Sequence, residues 1–405
     1  MNELSSQGWF CDQTVRAVMA ALAQNGQEPR FVGGCVRDSL CGRRVHDIDI
    51  ATPEKPQTVC DLLESQGIKV IPTGIEHGTV TAVLNDKTFE ITTLRSDVSS
   101  DGRRATVAFT DDWLEDARRR DFTFNAMSLD RDGTLYDPFN GRDDLANGVV
   151  RFVGSARERI REDYLRLLRF FRFNAYYGKG TPDPETLRAC TQEANGVTQL
   201  SGERIAAEML RLLGATHPAK WIRLMQRHHI LELLIPQAQD PHALEMLCAF
   251  EETPDALLRL AVLIPQGRAS VEALVKRWRL SNAQKQRLLN ARAPDEALLP
   301  HVTIEGLRCY LHRYGGQAAR DQLFIYWAEK QFSGIGVKEQ TVLSEIDGWE
   351  KSPRRFPLAG RDLMERGYAA GPQLGAALKA VEDWWCRQGC QADKAACLTY
   401  LASLD

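Results

Sequence analysis

The chain has 405 residues, with 51 basic against 54 acidic side chains and a net charge of −3; 43% of it is hydrophobic. This is ordinary globular composition and excludes disordered and collagen-like classes. The charge balance excludes a uniformly basic nucleic-acid sheath, so any polyanion must be gripped by a local patch. No run approaches the roughly 18 apolar residues of a membrane span. Met1–Trp9 has neither the basic flank nor the apolar centre of a signal peptide. Ten scattered cysteines make no disulfide framework, so a reduced cytoplasm is the expected setting.

Up to about residue 150 the chain mixes short β-like runs with turns. Arg30–Val32 reads as a strand entering the tight turn Gly33-Gly34, with a helix starting behind it. Two glycines let backbone N–H groups approach an anion, and Arg37 can fork onto a phosphate. Val45–Ile50 alternates as a strand. Its period of two puts Asp47 and Asp49 on one face, with Ile48 and Ile50 packing behind. Two such carboxylates, roughly 7 Å apart, repel each other unless a divalent cation sits between them. Mg²⁺ suits such oxygen ligands and shares them with substrate phosphates. A solvated strand face is the plain alternative. Thr79–Leu84 and Thr88–Thr93 flank Asn85-Asp86-Lys87 as a hairpin, whose second strand carries Glu90 as a possible third carboxylate.

Between Lys87 and Lys179 there are 15 arginines and no lysine. Arginine offers a planar fork for phosphate and base edges, where lysine offers a point charge. Arg118-Arg119-Arg120 is placed to clamp a triphosphate, with Asp121 and Asn125 reaching ribose hydroxyls; a solvated helix face is the competing reading. From about residue 156 helical periodicity dominates, over Ile160–Asn174, Glu203–Leu213, Ala219–Leu234, Val271–Arg279 and Ile304–Arg313. On the first of these, Asp163, Arg166, Arg169 and Arg172 step along one row among Leu and Phe residues. Arginines in such surroundings need anionic or hydrogen-bonding partners. The competing reading is a set of surface ion pairs such as Glu162–Arg166.

Taken in order, Gly33-Gly34-x-Val36-Arg37-Asp38, Asp47-x-Asp49, Arg119-Arg120-Asp121-x-x-x-Asn125-Ala126 and Glu162-Asp163-x-x-Arg166-x-x-Arg169 resemble the bacterial class II tRNA nucleotidyltransferases, the CCA-adding enzyme and poly(A) polymerase superfamily. Asp137-x-x-x-Gly141 with Arg151 is similar to that family's hinge motif. Gly202–Glu208 resembles its neck helix, and Leu358–Leu363 with Gly371-Pro372 its C-terminal segment. The resemblance implies an α+β chain: a polymerase-β-like nucleotidyltransferase head (1–150), a helical neck and body (151–270) and a helical tail (271–405). It implies untemplated transfer from CTP and ATP to a tRNA 3′ end, with Mg²⁺ as cofactor. Asp47 and Asp49 match the catalytic metal carboxylates, with Glu90 as a third catalytic candidate. Gly34, Arg37 and Arg120 match phosphate contacts, and Asp163, Arg166, Arg169 and Arg172 match the nucleotide-binding helix.

The base edges suggest how selection works. Cytosine and adenine both present an amine donor beside a ring-nitrogen acceptor, so an acceptor (Asp163) beside a donor (Arg166) reads both. Guanine and uracil present a carbonyl where the amine should be.

The polar segment Ser96–Arg104 falls at the family's flexible loop and favours full CCA addition. A-adding and poly(A) enzymes share the other motifs and stand as alternatives, as does a catalytically silent RNA-binding protein. Cys386, Cys390 and Cys397 lack a fourth partner at zinc spacing. Trp278 and Trp384-Trp385 read as core. Lys276, Arg277, Arg279, Lys285 and Arg287 are either tRNA phosphate contacts or a solvated helix face.

Overall fold

The computed structural model describes residues 7–72, 74–100, 105–294, 298, 303–332 and 334–404. Residues 101–104 of the expected flexible loop lie outside these. The chain divides into two compact units. One is Met1–Glu208 with Met225–Leu234; the other is Met209–Leu224 with Ile235–Asp405.

The first unit holds the strands β1 (Arg30–Val32), β2 (Ile48–Thr52), β3 (Lys69–Ile71), β4 (Thr79–Leu84), β5 (Lys87–Thr93), β6 (Arg95–Ser100), β7 (Ala105–Phe109), β8 (Ser128–Leu129) and β9 (Leu135–Tyr136). Seven form one sheet in the order β3-β4-β5-β2-β1-β8-β9, while β6 and β7 form a separate antiparallel ribbon at the flanks of the expected loop. Within the large sheet β2 and β5 run parallel and the other neighbours antiparallel. The expected hairpin is present. Asn85 and Asp86 both take positive φ (49° and 60°), the turn chemistry that matches the twist of paired strands.

Register decides what the sheet can do. Phe31, Ile50, Ile91 and Val80 lie side by side across four strands, and all are buried. Their chain neighbours Val32, Asp49, Glu90 and Thr81 line up on the other face. One apolar face is committed to the core and the opposite face is left for chemistry; a one-residue slip would exchange them. The strand carrying the aspartates starts later than the alternation suggests. It runs Ile48–Thr52, and Asp47 sits in the exposed segment just before it.

The expected single helix over Ile160–Asn174 is two. One spans Ala156–Glu162 and the other Leu165–Tyr177, separated by Asp163 in extended conformation (φ −155°, ψ 107°). Asp163 therefore precedes the arginine row instead of belonging to it. Its side chain accepts from the Leu165 N–H at 3.1 Å, the local bonding by which aspartate competes with a continuous helix. The second helix buries Leu167, Leu168, Phe170, Phe171 and Phe173.

The second unit is helical. One apolar cluster gathers Leu307, Tyr310, Leu311, Trp327, Ile346, Trp349 and Trp385. Trp278 is fully buried. The helix expected over Ile304–Arg313 extends to Glu329, with Gly315 out of helical conformation (φ 82°, ψ 167°). The helix expected over Ala219–Leu234 is interrupted: it ends at Arg227, resumes at Leu231, and His229 between them has φ 55°. Arg287 is not free to grip phosphate, because it bonds Asp321 and Asp255. Cys386, Cys390 and Cys397 are buried thiols. Among the described residues no helix is long and apolar enough to cross a membrane.

Candidate active site

A cleft of about 410 Å³ opens over the polar face of the sheet. Its floor is the turn Gly33-Gly34, where Gly33 takes φ 67°. A Cβ there would lie 3.6 Å from Asp49 Oδ2 and 3.8 Å from Arg120 Nη1. The turn thus runs between the carboxylate and the guanidinium. Behind it the helix Gly34–Leu40 carries Arg37.

Of the three expected carboxylates, Asp49 is half-buried at the cleft, while Asp47 and Glu90 are exposed. Asp49 and Glu90 are direct partners in the parallel register of β2 and β5. Burial, then the negative charges of Glu90 and Asp47, push the Asp49 carboxyl up to about 6; Arg120 and Arg37 only partly offset this. Among the described residues no cluster of three or more His, Cys, Asp or Glu forms a ready-made cage. Glu90 shares the face and adds negative potential, but it does not complete a three-carboxylate cluster. The protein offers Asp47 and Asp49, leaving other positions to phosphate oxygens and water, a pattern that suits Mg²⁺. The uncompensated charge at Asp49 is what a bound cation would relieve, so these residues fit the metal.

One cleft wall is a chain of polar contacts. Arg37 places Nε and Nη2 on Asp38 and Nη1 on the Asn125 side-chain oxygen at 2.8 Å. The Asn125 amide donates to Asp121 Oδ1 at 2.9 Å, and Arg169 donates to Asp121 Oδ2 at 2.6 Å. Asp121 and Asn125, expected to reach ribose hydroxyls, border the cleft, are mostly buried, and make the bonds of this network. Burial pushes the Asp121 carboxyl up, but Arg169, the Asn125 amide and the Phe122 N–H together hold it below the ordinary value. These two residues set the positions of Arg37 and Arg169, which border the cleft. Tyr177 braces the same corner: its hydroxyl donates to Asp38 at 2.5 Å, and its ring lies 4.7 Å from the Arg37 guanidinium.

The Arg118–Arg120 run does not act as a unit. Arg118 is exposed at a helix end, while Arg119 and Arg120 both bond the buried Asp116, at 2.7 and 3.0 Å. Burial raises the Asp116 carboxyl, yet its two arginines leave it lowered overall. The i,i+3 and i,i+4 spacing was legible in the sequence, and Asp116 is a residue the sequence reading passed over.

The remaining wall holds Asp163, Arg166 and Arg169. Arg172 lies outside it. That side chain rests on the Phe173 ring at 4.1 Å and pairs with buried Glu208 at 2.5 Å, a packing position. The side chains of Asp163 and Arg166 do not bond each other, although the Arg166 N–H donates to the Asp163 carbonyl at 2.9 Å. Arg166 bonds Glu162 at 2.6 Å and the carbonyls of Arg119 and Arg159. Asp163 Oδ2 receives Arg204 at 2.7 Å. The Glu162–Arg166 ion pair is therefore real, and it fixes a guanidinium that borders the cleft. Arg204 was not foreseen as a site residue, because its partner lies 41 positions away in sequence.

A mixed sheet with one polar face, a glycine turn, two aspartates and an arginine-lined wall defines a nucleotide-handling head joined to a helical appendage. Profiles described as "Poly A polymerase head domain" and "Probable RNA and SrmB- binding site of polymerase A" match residues 29–151 and 181–240. CCA tRNA nucleotidyltransferase 1, mitochondrial, of Danio rerio is 36% identical over 395 residues, 95% of this chain and 89% of its own. The CCA-adding enzyme of Geobacillus stearothermophilus is 36% identical over 394 residues, covering 91% of each chain. The crystal structure of Bacillus stearothermophilus CCA-adding enzyme in complex with CTP superposes with TM-score 0.79 at 28% identity over 97% of each chain. The chain belongs to the CCA-adding enzymes, the tRNA nucleotidyltransferase family.

Proposed function

We propose that this chain adds CCA to the 3′ end of tRNA from CTP and ATP without a nucleic-acid template. The observation that carries this reading is the composition of one cleft. Asp49 and the Gly33-Gly34 turn lie at its floor, and an acceptor and a donor whose side chains are each anchored by other residues, Asp163 by Arg204 and Arg166 by Glu162, stand on its wall. Asp47 and Asp49 hold Mg²⁺, which when bound supplies the positive charge that favours ionisation of the RNA 3′-hydroxyl and departure of pyrophosphate. The chain's own contribution is placement. The Gly33-Gly34 backbone, Arg37 and Arg120 receive the triphosphate, and Asp163 and Arg166 receive the amine and ring nitrogen of C or A. A base with a carbonyl at the amine position leaves buried polar groups unpaired, at a cost of roughly 1–3 kcal/mol each.

The head, residues 1–150, performs transfer; residues 151–270 select the nucleotide and contact tRNA; residues 271–405 bind tRNA. The test is primer extension on tRNA lacking CCA, on tRNA ending in CC, and on generic RNA, each with CTP, ATP or both. Incorporation of two C and one A on the first substrate supports the reading. A alone added only to the CC-ending primer identifies an A-adding enzyme, and A tracts on generic RNA identify a poly(A) polymerase. No incorporation with Mg²⁺ present overturns the reading in favour of a silent RNA-binding protein.

A further inference from the structure

The base-reading carboxylate is held from a second helix. Asp163 lies in the break between two helices, in extended conformation, with its carbonyl accepting from the Arg166 N–H at 2.9 Å. Two contacts define its side chain: the Leu165 N–H on Oδ1 at 3.1 Å, and the Arg204 guanidinium on Oδ2 at 2.7 Å. Arg204 comes from the helix Gly202–Leu213 and itself borders the cleft. One turn further along that helix, Glu208 is 2.5 Å from Arg172 and 3.8 Å from Arg169. Residues i and i+4 share a helix face. The same face therefore holds Asp163 through a cation and the arginine row through an anion.

We infer that Arg204 is a specificity-determining positioning residue: it orients Asp163 so that a free lone pair faces the amine of C or A. This rests on the reading of Asp163 as a base contact. A carboxylate offers about four acceptor sites; Leu165 and Arg204 take one on each oxygen, and the remaining ones are left for a base. Arg166, anchored by Glu162 and two carbonyls, does not compete for them. Energetics support a positioning role over a structural one. The Arg204 side chain is 47% exposed and Asp163 32%, the range in which an ion pair adds little to stability. Arg204 thus governs where the acceptor points more than whether the protein folds.

The experiment measures the rates of CTP, ATP, UTP and GTP incorporation into a tRNA primer for wild type, Arg204→Met, Arg204→Lys, Asp163→Ala and Asp163→Ala/Arg204→Met. The ratio of wrong to correct nucleotide is internal to each preparation, so partial misfolding lowers all rates and leaves the ratio unchanged. The expected result is a roughly tenfold rise in the ratio for Arg204→Met, with KM for CTP and ATP rising more than for UTP and GTP. Arg204→Lys should restore most of the discrimination, and the double variant should equal Asp163→Ala alone. If Asp163→Ala relaxes the ratio and Arg204→Met does not, the role of Arg204 is overturned while base reading by Asp163 stands. Additive effects in the double variant would likewise overturn it, because Arg204 would then act independently of Asp163. An unchanged ratio in Asp163→Ala would overturn both.

Discussion

Asp49 and Glu90 are direct partners across the parallel pairing of β2 and β5, so two carboxylates share one sheet face. Burial, Glu90 and Asp47 push the Asp49 carboxyl up to about 6 from an ordinary value of 3.8. The sign of the resulting pH effect follows by linkage. The folded, metal-free protein binds this proton more tightly than the unfolded chain. The stabilising contribution is complete below about pH 4 and is lost as pH rises through about 6. In EDTA, the stability of wild type relative to Asp49→Asn should therefore fall across that window. Thermal unfolding of the two proteins side by side checks it, and a stability of wild type relative to Asp49→Asn that stays level or rises with pH would refute the assignment.

Divalent cation should reverse that trend, because it binds the ionised carboxylate. Asp47→Ala and Asp49→Ala should lower nucleotide transfer by roughly 10²-fold or more while leaving the fold intact, since the apolar face behind Asp49 is unchanged. Turnover at saturating Mg²⁺ together with circular dichroism separates the two effects. Near-normal turnover in either variant would remove that residue from the metal site.

Arg169→Met should be far more costly to stability than Arg204→Met. Arg169 compensates Asp121, which is 7% exposed. Removing the cation leaves a buried carboxylate with only the Asn125 amide and one backbone N–H. Because Arg169 itself is partly open to solvent, the loss should be about 2–4 kcal/mol, toward the lower end for a broken buried pair. Urea denaturation measures it. Asp121→Asn in the same background should recover part of the loss by removing the stranded charge.

Two glycines should respond in opposite directions to alanine. A Cβ on Gly141 would lie 2.3 Å from the Thr123 carbonyl oxygen, in the turn that carries Asn125. Gly141→Ala should cost about 1–3 kcal/mol or more and weaken nucleotide binding with it. Gly348 sits inside the helix Val337–Lys351 with open space around it, so Gly348→Ala should stabilise by about 0.5–1 kcal/mol. Denaturation midpoints of the two variants give the test.

Length matters for any experiment on the tail. A truncation after about residue 270 would remove Arg287 and Asp321 from their ion-pair cluster with Asp255, and Trp278 from the core. Tail contributions to tRNA affinity should therefore be measured with charge substitutions at exposed Arg279 or Lys276. Each substitution that removes a phosphate contact should reduce the salt dependence of binding by about one ion.

Local chemistry was legible in the sequence. The alternation around Asp49 and Glu90 put both on a polar face, the Asn85-Asp86 turn marked its hairpin, and the Gly33-Gly34 turn marked the approach to the cleft. Such features depend on residues two to eight apart, whose relation is set by backbone period and turn geometry. The order of motifs likewise carried the resemblance to the tRNA nucleotidyltransferases. What each arginine binds was decided only by tertiary structure. Arg166 turned from Asp163 to Glu162, Arg172 left the cleft for Glu208, Asp121 and Asn125 bonded Arg169 and Arg37, and Arg204 arrived from a separate helix to hold Asp163. A guanidinium donates in several directions at similar energy, so the sequence specifies its need for an anion without specifying which one. The choice falls to whichever carboxylate the packing of Phe170, Phe171 and Phe173 brings within about 3 Å.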